Sequence, residues 1–414
     1  MIIFSGEGIS SVFSFLSTIF IIKSLGNSEH GVLVAIQTYV NLFYGVFSFK
    51  TFQSLIKYLA RSEASNDRYM SKVYIKVALL LDLFCLGLML VVGLAAKDYF
   101  ISMLGWNSSI SSFCDIYLCV YILYFQGSTI GILRFYEQYH YIVKSNIICA
   151  FIKMTGFAYC CLYQLPFMYF FIFDCTANIS KFLFMNYYTL LTLKKKHLID
   201  FYKVKISNCF DFIRFSLYSN LTSTIDLPVN QITTLIINKY LGFEAISVYN
   251  IFQNIGAVIN KLGDPISQVI YPEMNQLINK NKLSEAMILK HKLYKVMFVI
   301  FMLISVFIAL TNKLWLNLLI NKPDPYLMPL IIYIAYACYS NASMGTHNLF
   351  MALGYVKYNI PILIFVNSVY LILLFYSVQK IGLSGVFIVY ILQTAAVVII
   401  KERIMLYKGY REMY

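Results

Sequence analysis

Apolar stretches long enough to cross a lipid bilayer follow one another from residue 8 to residue 401 with only short polar interruptions. A hydrocarbon core of roughly 30 Å takes ~20 helical residues, and about twelve runs approach or exceed that length. They span 8–25, 31–56, 73–96, 113–133, 142–163, 167–193, 211–241, 246–271, 293–312, 327–350, 359–379 and 384–401. Each is continuously apolar instead of alternating at a period of two, which selects helices over a barrel. Mean hydropathy is +0.70. With 60% hydrophobic and 13% charged residues in 414, a soluble domain is excluded. The chain reads as an all-α membrane protein.

Lys and Arg near helix ends are retained on the cytoplasmic side, and here they crowd alternate connections. One set holds Lys57, Arg61, Arg68, Lys72 and Lys76, then Arg134 and Lys144, then Lys194, Lys195, Lys196, Lys203, Lys205 and Arg214. It continues with five lysines between 280 and 295, Lys357, and Lys401, Arg403, Lys408 and Arg411 in the tail. The opposite set holds only Lys23, Lys97, Lys239, Lys313, Lys322 and Lys380. Both termini are therefore expected to be cytoplasmic. The net charge of +14 is spread over many short loops, so nucleic acid is not an expected partner. Met1 leads almost directly into the first run without a signal-peptide pattern, and the first helix is expected to act as its own targeting signal. Nine cysteines, an odd number with no C-x-x-C pair, read as packing residues.

The chain also repeats itself. Leu25-Gly26 is followed by Gln37, and Leu241-Gly242 by Gln253 at the same spacing. Six runs separate the copies, so the repeat keeps its orientation and relates the halves by an axis along the membrane normal. Trp106 and Trp315 fall in matching outer connections and are expected at the membrane interface. Two parallel six-helix bundles follow, over 1–196 and 211–402, with a cytoplasmic linker at 197–210 and a tail at 403–414.

The opening residues carry a family resemblance. The Ser-rich first helix from Gly8, the Lys23-Ser24-Leu25-Gly26 exit, the Asn27-Ser28-Glu29-His30-Gly31 turn and the second helix closing on Leu55-Ile56-Lys57-Tyr58 resemble polysaccharide flippases. So does the turn at Gly382 and Gly385 before the last helix. These are the Wzx-type O-antigen transporters of the multidrug/oligosaccharidyl-lipid/polysaccharide exporter superfamily. The resemblance implies that the cargo is an undecaprenyl-diphosphate-linked oligosaccharide moved from the inner to the outer leaflet of the bacterial inner (cytoplasmic) membrane. It implies no cofactor beyond a coupling sodium ion or proton, and it implies the polysaccharide polymerase and chain-length machinery as partners.

A diphosphate needs cations inside the bilayer, where a lone charge is costly and is paired, cavity-facing or functional. Four lysines lie within the runs: Lys50, Lys153, Lys181 and Lys261. Lys261 shares a helical face with Asn250, Gln253, Asn260, Asp264 and Gln268; its alternative is a local pair with Asp264. Lys181 belongs to a stripe with Asp174 and Asn178 that either lines a cavity or forms an internal ion pair. Lys153 has no polar stripe and needs a partner from elsewhere or a cavity. Lys50 shares a side with Gln53, Ser54 and Lys57, opposite Gln37, Asn41 and Ser48; it either binds phosphate or snorkels to the headgroups. The substrate-binding candidates are thus Lys261, Lys181, Lys153, Lys50, Gln253 and Asn178.

Asp226 lies beside Pro228, which should break the seventh helix. In one branch of the family, the flippases of peptidoglycan precursor, a sodium site uses an Asp on the seventh helix, an Asn and an Asp on the eleventh, and a Thr on the twelfth. Asp226, Asn367 and Thr394 match these types, and Leu371 stands in place of the second acid. The resemblance makes these three the cation-coupling candidates, with sodium and a proton both open.

Two rivals are weighed against this reading. A multidrug antiporter of the same fold expects a carboxylate-rich cavity, whereas the runs hold few acids: Asp82, Asp174, Asp226 and Asp264. A membrane polysaccharide polymerase or ligase expects a large outer loop bearing catalytic Arg or His, whereas only His347 lies within a run. No G-x-x-x-x-G-K phosphate loop is present. The expected action is alternating access by a non-enzymatic carrier.

Overall fold

The first expected run and the greater part of the second form one bent helix, α1 (Ile2–Phe47), with Gly26 at φ 86°, ψ 175°, a region essentially open only to glycine; the rest of the second run, from Thr51, starts a separate helix. The computed structural model describes the backbone of residues 2–412 apart from 208, 226, 281, 321 and 322. Also outside the described residues are the side chains of 2–5, 221–223, 228, 258, 261–265, 267–269, 313–315, 318, 356 and 408–412.

After α1 come α2 (Thr51–Ala64), α3 (Arg68–Leu104), α4 (Ser108–Tyr121), α5 (Gln126–Phe135), α6 (Tyr139–Leu162), α7 (Phe167–Lys195) and α8 (Phe210–Thr224). A π turn at Pro228–Ile232 leads into α9 (Thr233–Asn279), followed by α10 (Leu283–Leu319), α11 (Leu327–Ala342), α12 (Met344–Ala352), α13 (Val356–Ile381) and α14 (Leu383–Glu412). All these elements are helical, and among the described residues nine segments are long and apolar enough to cross a membrane. One of them, Gly6–Ala64, takes in two expected runs.

The repeat is visible in the backbone. Gly242, 216 residues after Gly26, bends α9 in the same way, with φ 82° and ψ −175°. The second half also reproduces the interrupted fourth run of the first. α4 and α5 are separated at 122–125, and α11 and α12 at Ser343. A difference lies at Ser48-Phe49-Lys50, where the first half is non-helical and Lys50 adopts φ 47°, while α9 continues through the corresponding stretch.

The chain divides into two compact units, Met1–Leu227 and Pro228–Tyr414. Their boundary falls beyond the expected 197–210 linker because α8 packs in the first unit. Phe212 lies against Tyr58 and Tyr74, and Ser216 Oγ is 2.6 Å from Ser54 Oγ. The linker docks on α3: Lys72 pairs with Asp200 at 2.7 Å, and Lys76 Nζ donates to the carbonyls of Tyr202 and Val204.

In the first unit α6 packs between α1 and α7, and α2 packs against α3 and α5; in the second, α11 packs against α10 and α14. α10 shows how its helical period is used. Leu293, Met297 and Phe301 are buried with Ile259, Ala337 and Cys338. Val296, Val299, Leu303, Phe307 and Leu310 form an exposed stripe, Leu310 at 79%, the face a membrane helix turns to lipid. Trp106 is buried, edge-on to Tyr39. Trp315 lies outside the described side chains. All nine thiols are free.

Candidate functional site

α6 and α7 form an antiparallel hairpin joined at 163–166, which brings Lys153 and Asp174 to the same depth. Lys153 Nζ is 2.5 Å from Asp174 Oδ1. Oδ2 accepts from Gln37 Nε2 on α1 at 3.0 Å, from the Tyr117 hydroxyl on α4 at 2.8 Å and from Asn178 Nδ2 at 3.4 Å. Asp174 is 0% exposed. A buried carboxylate is tolerable only when its charge is matched and it is hydrogen-bonded; α6 supplies the cation at Oδ1, and α1, α4 and α7 supply the donors to Oδ2. The partner that Lys153 requires is therefore Asp174, and Lys153 is a paired cation. Asn178 belongs to the same network.

Lys181, one turn beyond Asn178, is half-buried and has no carboxylate partner among the described residues. Lys50 also has none. The break at 48–50 removes the helical faces expected around it: Ser48 and Lys50 line the same cavity of about 130 Å³, together with Asp82, Gln126 and Arg134. Ser54, expected beside Lys50, faces Ser216 on α8. Asp226 and the side chains of Lys261, Asp264 and Gln268 lie outside the described residues.

In the second unit the equivalent network is phenolic. Gln253 Nε2 donates to the Tyr249 hydroxyl at 2.8 Å, which lies 2.5 Å from the Tyr390 hydroxyl. Tyr390 donates to the Val229 carbonyl in the π turn at 2.9 Å. Tyr390 stands 216 residues after Asp174, as Gln253 does after Gln37 and Tyr333 after Tyr117. Asn367 and Thr394 meet through one side chain: Gln393 Nε2 donates to Asn367 Oδ1 at 3.1 Å, and Thr394 donates to Gln393 Oε1 at 3.3 Å.

The feature not foreseen from the sequence is Asp82 on α3, which holds the starts of α2 and α5 through Thr51 and Ser128. A single acid amid the apolar residues 77–96 is its sequence signal. Among the described residues no group of three or more His, Cys, Asp or Glu side chains is placed to hold a metal ion.

No protein-family model matches the chain, and no curated protein matches it in sequence. Solved structures do match its shape. An inward-facing multidrug resistance MATE family transporter of the MOP superfamily superposes with a TM-score of 0.80 at 14% identity, covering 97% of this chain and 94% of that one. This chain has the MATE fold. An outward-facing conformation of such a transporter superposes at 0.61 with 15% identity, over 99% and 96% of the two chains. Among the MATE-fold neighbours is also a MOP superfamily transporter from Pyrococcus furiosus, described by the reverse polarity of its binding pocket. It has a TM-score of 0.68, 14% identity and coverage of 99% and 93%.

Proposed function

We propose that this chain is a flippase that moves an undecaprenyl-diphosphate-linked oligosaccharide from the inner to the outer leaflet of the bacterial cytoplasmic membrane by alternating access. The observation that carries the reading is a surplus of intramembrane cations. Lys50 and Lys181 lie in membrane-length segments without ion-pair partners among the described residues, Lys50 sharing its cavity with Asp82, and an ammonium there is costly unless a ligand supplies further counter-charge. A diphosphate supplies it. Lys261 joins them on the sequence argument, and Lys153 joins only when released from Asp174. The neighbours' inward-facing and outward-facing conformations support a carrier that exposes its site to each side in turn. Asp226, Asn367 and Thr394 are the proposed coupling group, for sodium or a proton.

A second reading, a multidrug antiporter, is favoured by the multidrug MATE neighbour. Deletion separates the two. Loss of surface glycan with accumulation of lipid-linked oligosaccharide and unchanged drug susceptibility supports the flippase; altered drug susceptibility with intact glycan supports the antiporter.

A further inference from the structure

Two acids are buried among the described residues, and only one has a cation. Asp174 holds Lys153. Asp82, 8% exposed near the middle of α3, has no ion-pair partner among the described residues. Two helix starts hold it instead. Thr51 Oγ1, on the first residue of α2, donates to Asp82 Oδ1 at 2.6 Å. The Ser128 amide, in the first turn of α5, donates to Oδ2 at 2.7 Å. Both half-helices begin at an interruption of a membrane-spanning run, so two partial positive charges converge on one carboxylate.

The two half-helices are also closely packed on one another. A Cβ on Gly131 of α5 would lie 2.9 Å from the Phe52 Cα of α2, and one on Gly127 would lie 2.8 Å from Asp82 Oδ1. α2 and α5 are therefore pressed backbone to backbone. The non-helical stretches 48–50 and 122–125 stand where hinges for such a pair would be. Asp82 faces the cavity shared with Lys50 and the exposed Arg134, which gives it a polar route to water.

We propose that Asp82 is a proton-binding site that locks and releases the α2–α5 pair. This rests on the transport reading only for the use made of the motion. Ionised, Asp82 accepts both bonds. A proton taken up from the cavity onto one carboxylate oxygen replaces two charge-assisted bonds by weaker neutral ones: on Oδ1 it reverses the Thr51 bond, the hydroxyl then accepting, and on Oδ2 it opposes the Ser128 amide; the proton returns by the same route. The groups around Asp82 set the balance. Lys50 from the 48–50 break and Arg134 from α5 line the same cavity as cations, and Tyr44 from α1, Tyr124 from the 122–125 break and Cys85 from α3 line it as neutral groups. Asp200, on the linker turn packed against α3, is engaged by Lys72. An anionic group bound at Lys50 and Arg134 cancels their charge and draws a proton onto Asp82, which couples cargo to the lock.

Infrared difference spectroscopy and amide hydrogen exchange on the purified full chain, without cargo, test this apart from transport. Lowering the pH from about 8 to about 5 is expected to bring up the carbonyl stretch of a protonated buried carboxyl that Asp82→Asn lacks. Over the same range, exchange at 51–56 and 126–131, corrected for intrinsic rates, rises about tenfold; in Asp82→Asn it is raised at every pH. Thr51→Val removes one donor to the ionised form and moves the midpoint up by roughly one pH unit. Unresponsive exchange in the unsubstituted protein, or a carboxyl band that persists in Asp82→Asn, overturns the proposal. Should that variant not fold, an unmoved midpoint in Thr51→Val overturns it. Absent transport with the titration intact would sink the flippase reading and leave this one standing.

Discussion

Lys153 Nζ and Asp174 Oδ1 stand 2.5 Å apart inside the first unit, and this pairing sorts the intramembrane lysines into two kinds. Lys153 is committed within the protein. Lys50 and Lys181 have no such carboxylate among the described residues, and they are the lysines proposed to meet the cargo. The second unit carries no such pair at the equivalent place, where Tyr390 stands for Asp174, so the two halves share a backbone plan and differ in the charge they hold.

Breaking the pair from one side should be far worse than removing it whole. Lys153→Met leaves a buried carboxylate without its cation and is expected to cost about 3–5 kcal/mol. The double variant Lys153→Met, Asp174→Leu should regain most of that loss in thermal unfolding of the solubilised protein. A double variant as unstable as the sum of the two singles would show that the pair is not the source of the cost.

Gly26 and Gly242 should each refuse a side chain. Their backbone angles lie where L-residues are strained by about 1–3 kcal/mol, although a Cβ would have open space at both. Gly26→Ala and Gly242→Ala are expected to lower the unfolding temperature by similar amounts. Unfolding scans of the two variants check the equivalence directly.

Gly131 and Gly87 make a matched comparison. A Cβ at Gly131 meets backbone at Phe52, whereas one at Gly87 in α3 meets nothing within 4 Å. Gly131→Ala should destabilise by about 1–3 kcal/mol, and Gly87→Ala should be neutral or stabilise by up to about 1 kcal/mol. Denaturation midpoints should fall in Gly131→Ala and hold or rise in Gly87→Ala.

The docked linker should respond to acid. The Lys72 ammonium holds the Asp200 carboxyl below the ordinary carboxylate range. A depressed folded-state value means the contribution is complete above the unfolded value of about 3.9 and is lost as pH falls through the folded one. Hydrogen exchange over 199–205 should rise in that acid window, and in Lys72→Ala the pH dependence should vanish.

The fold is legible in the sequence wherever a residue acts locally. The Leu-Gly repeat marks both kinks because glycine alone reaches those angles. The interruptions at 48–50, 122–125 and Ser343 are not legible, since none carries a Gly or Pro to mark it and what accompanies the first two is tertiary: Asp82 engages both new helix starts from a third helix. The Lys153–Asp174 pair is legible only through the turn at 163–166, which aligns two positions that share no helical stripe. Lys50 reads as one member of a regular helical face, and the break beneath it changes which residues it meets.

Transbilayer movement of an undecaprenyl-diphosphate-linked oligosaccharide in proteoliposomes tests the central claim most directly. The account predicts rapid movement by the unsubstituted protein and at least about a tenfold loss in Lys50→Met, Lys181→Met, as expected when about 1.4 kcal/mol or more of phosphate interaction is removed. No movement by the unsubstituted protein, or full movement by the double variant, would contradict it.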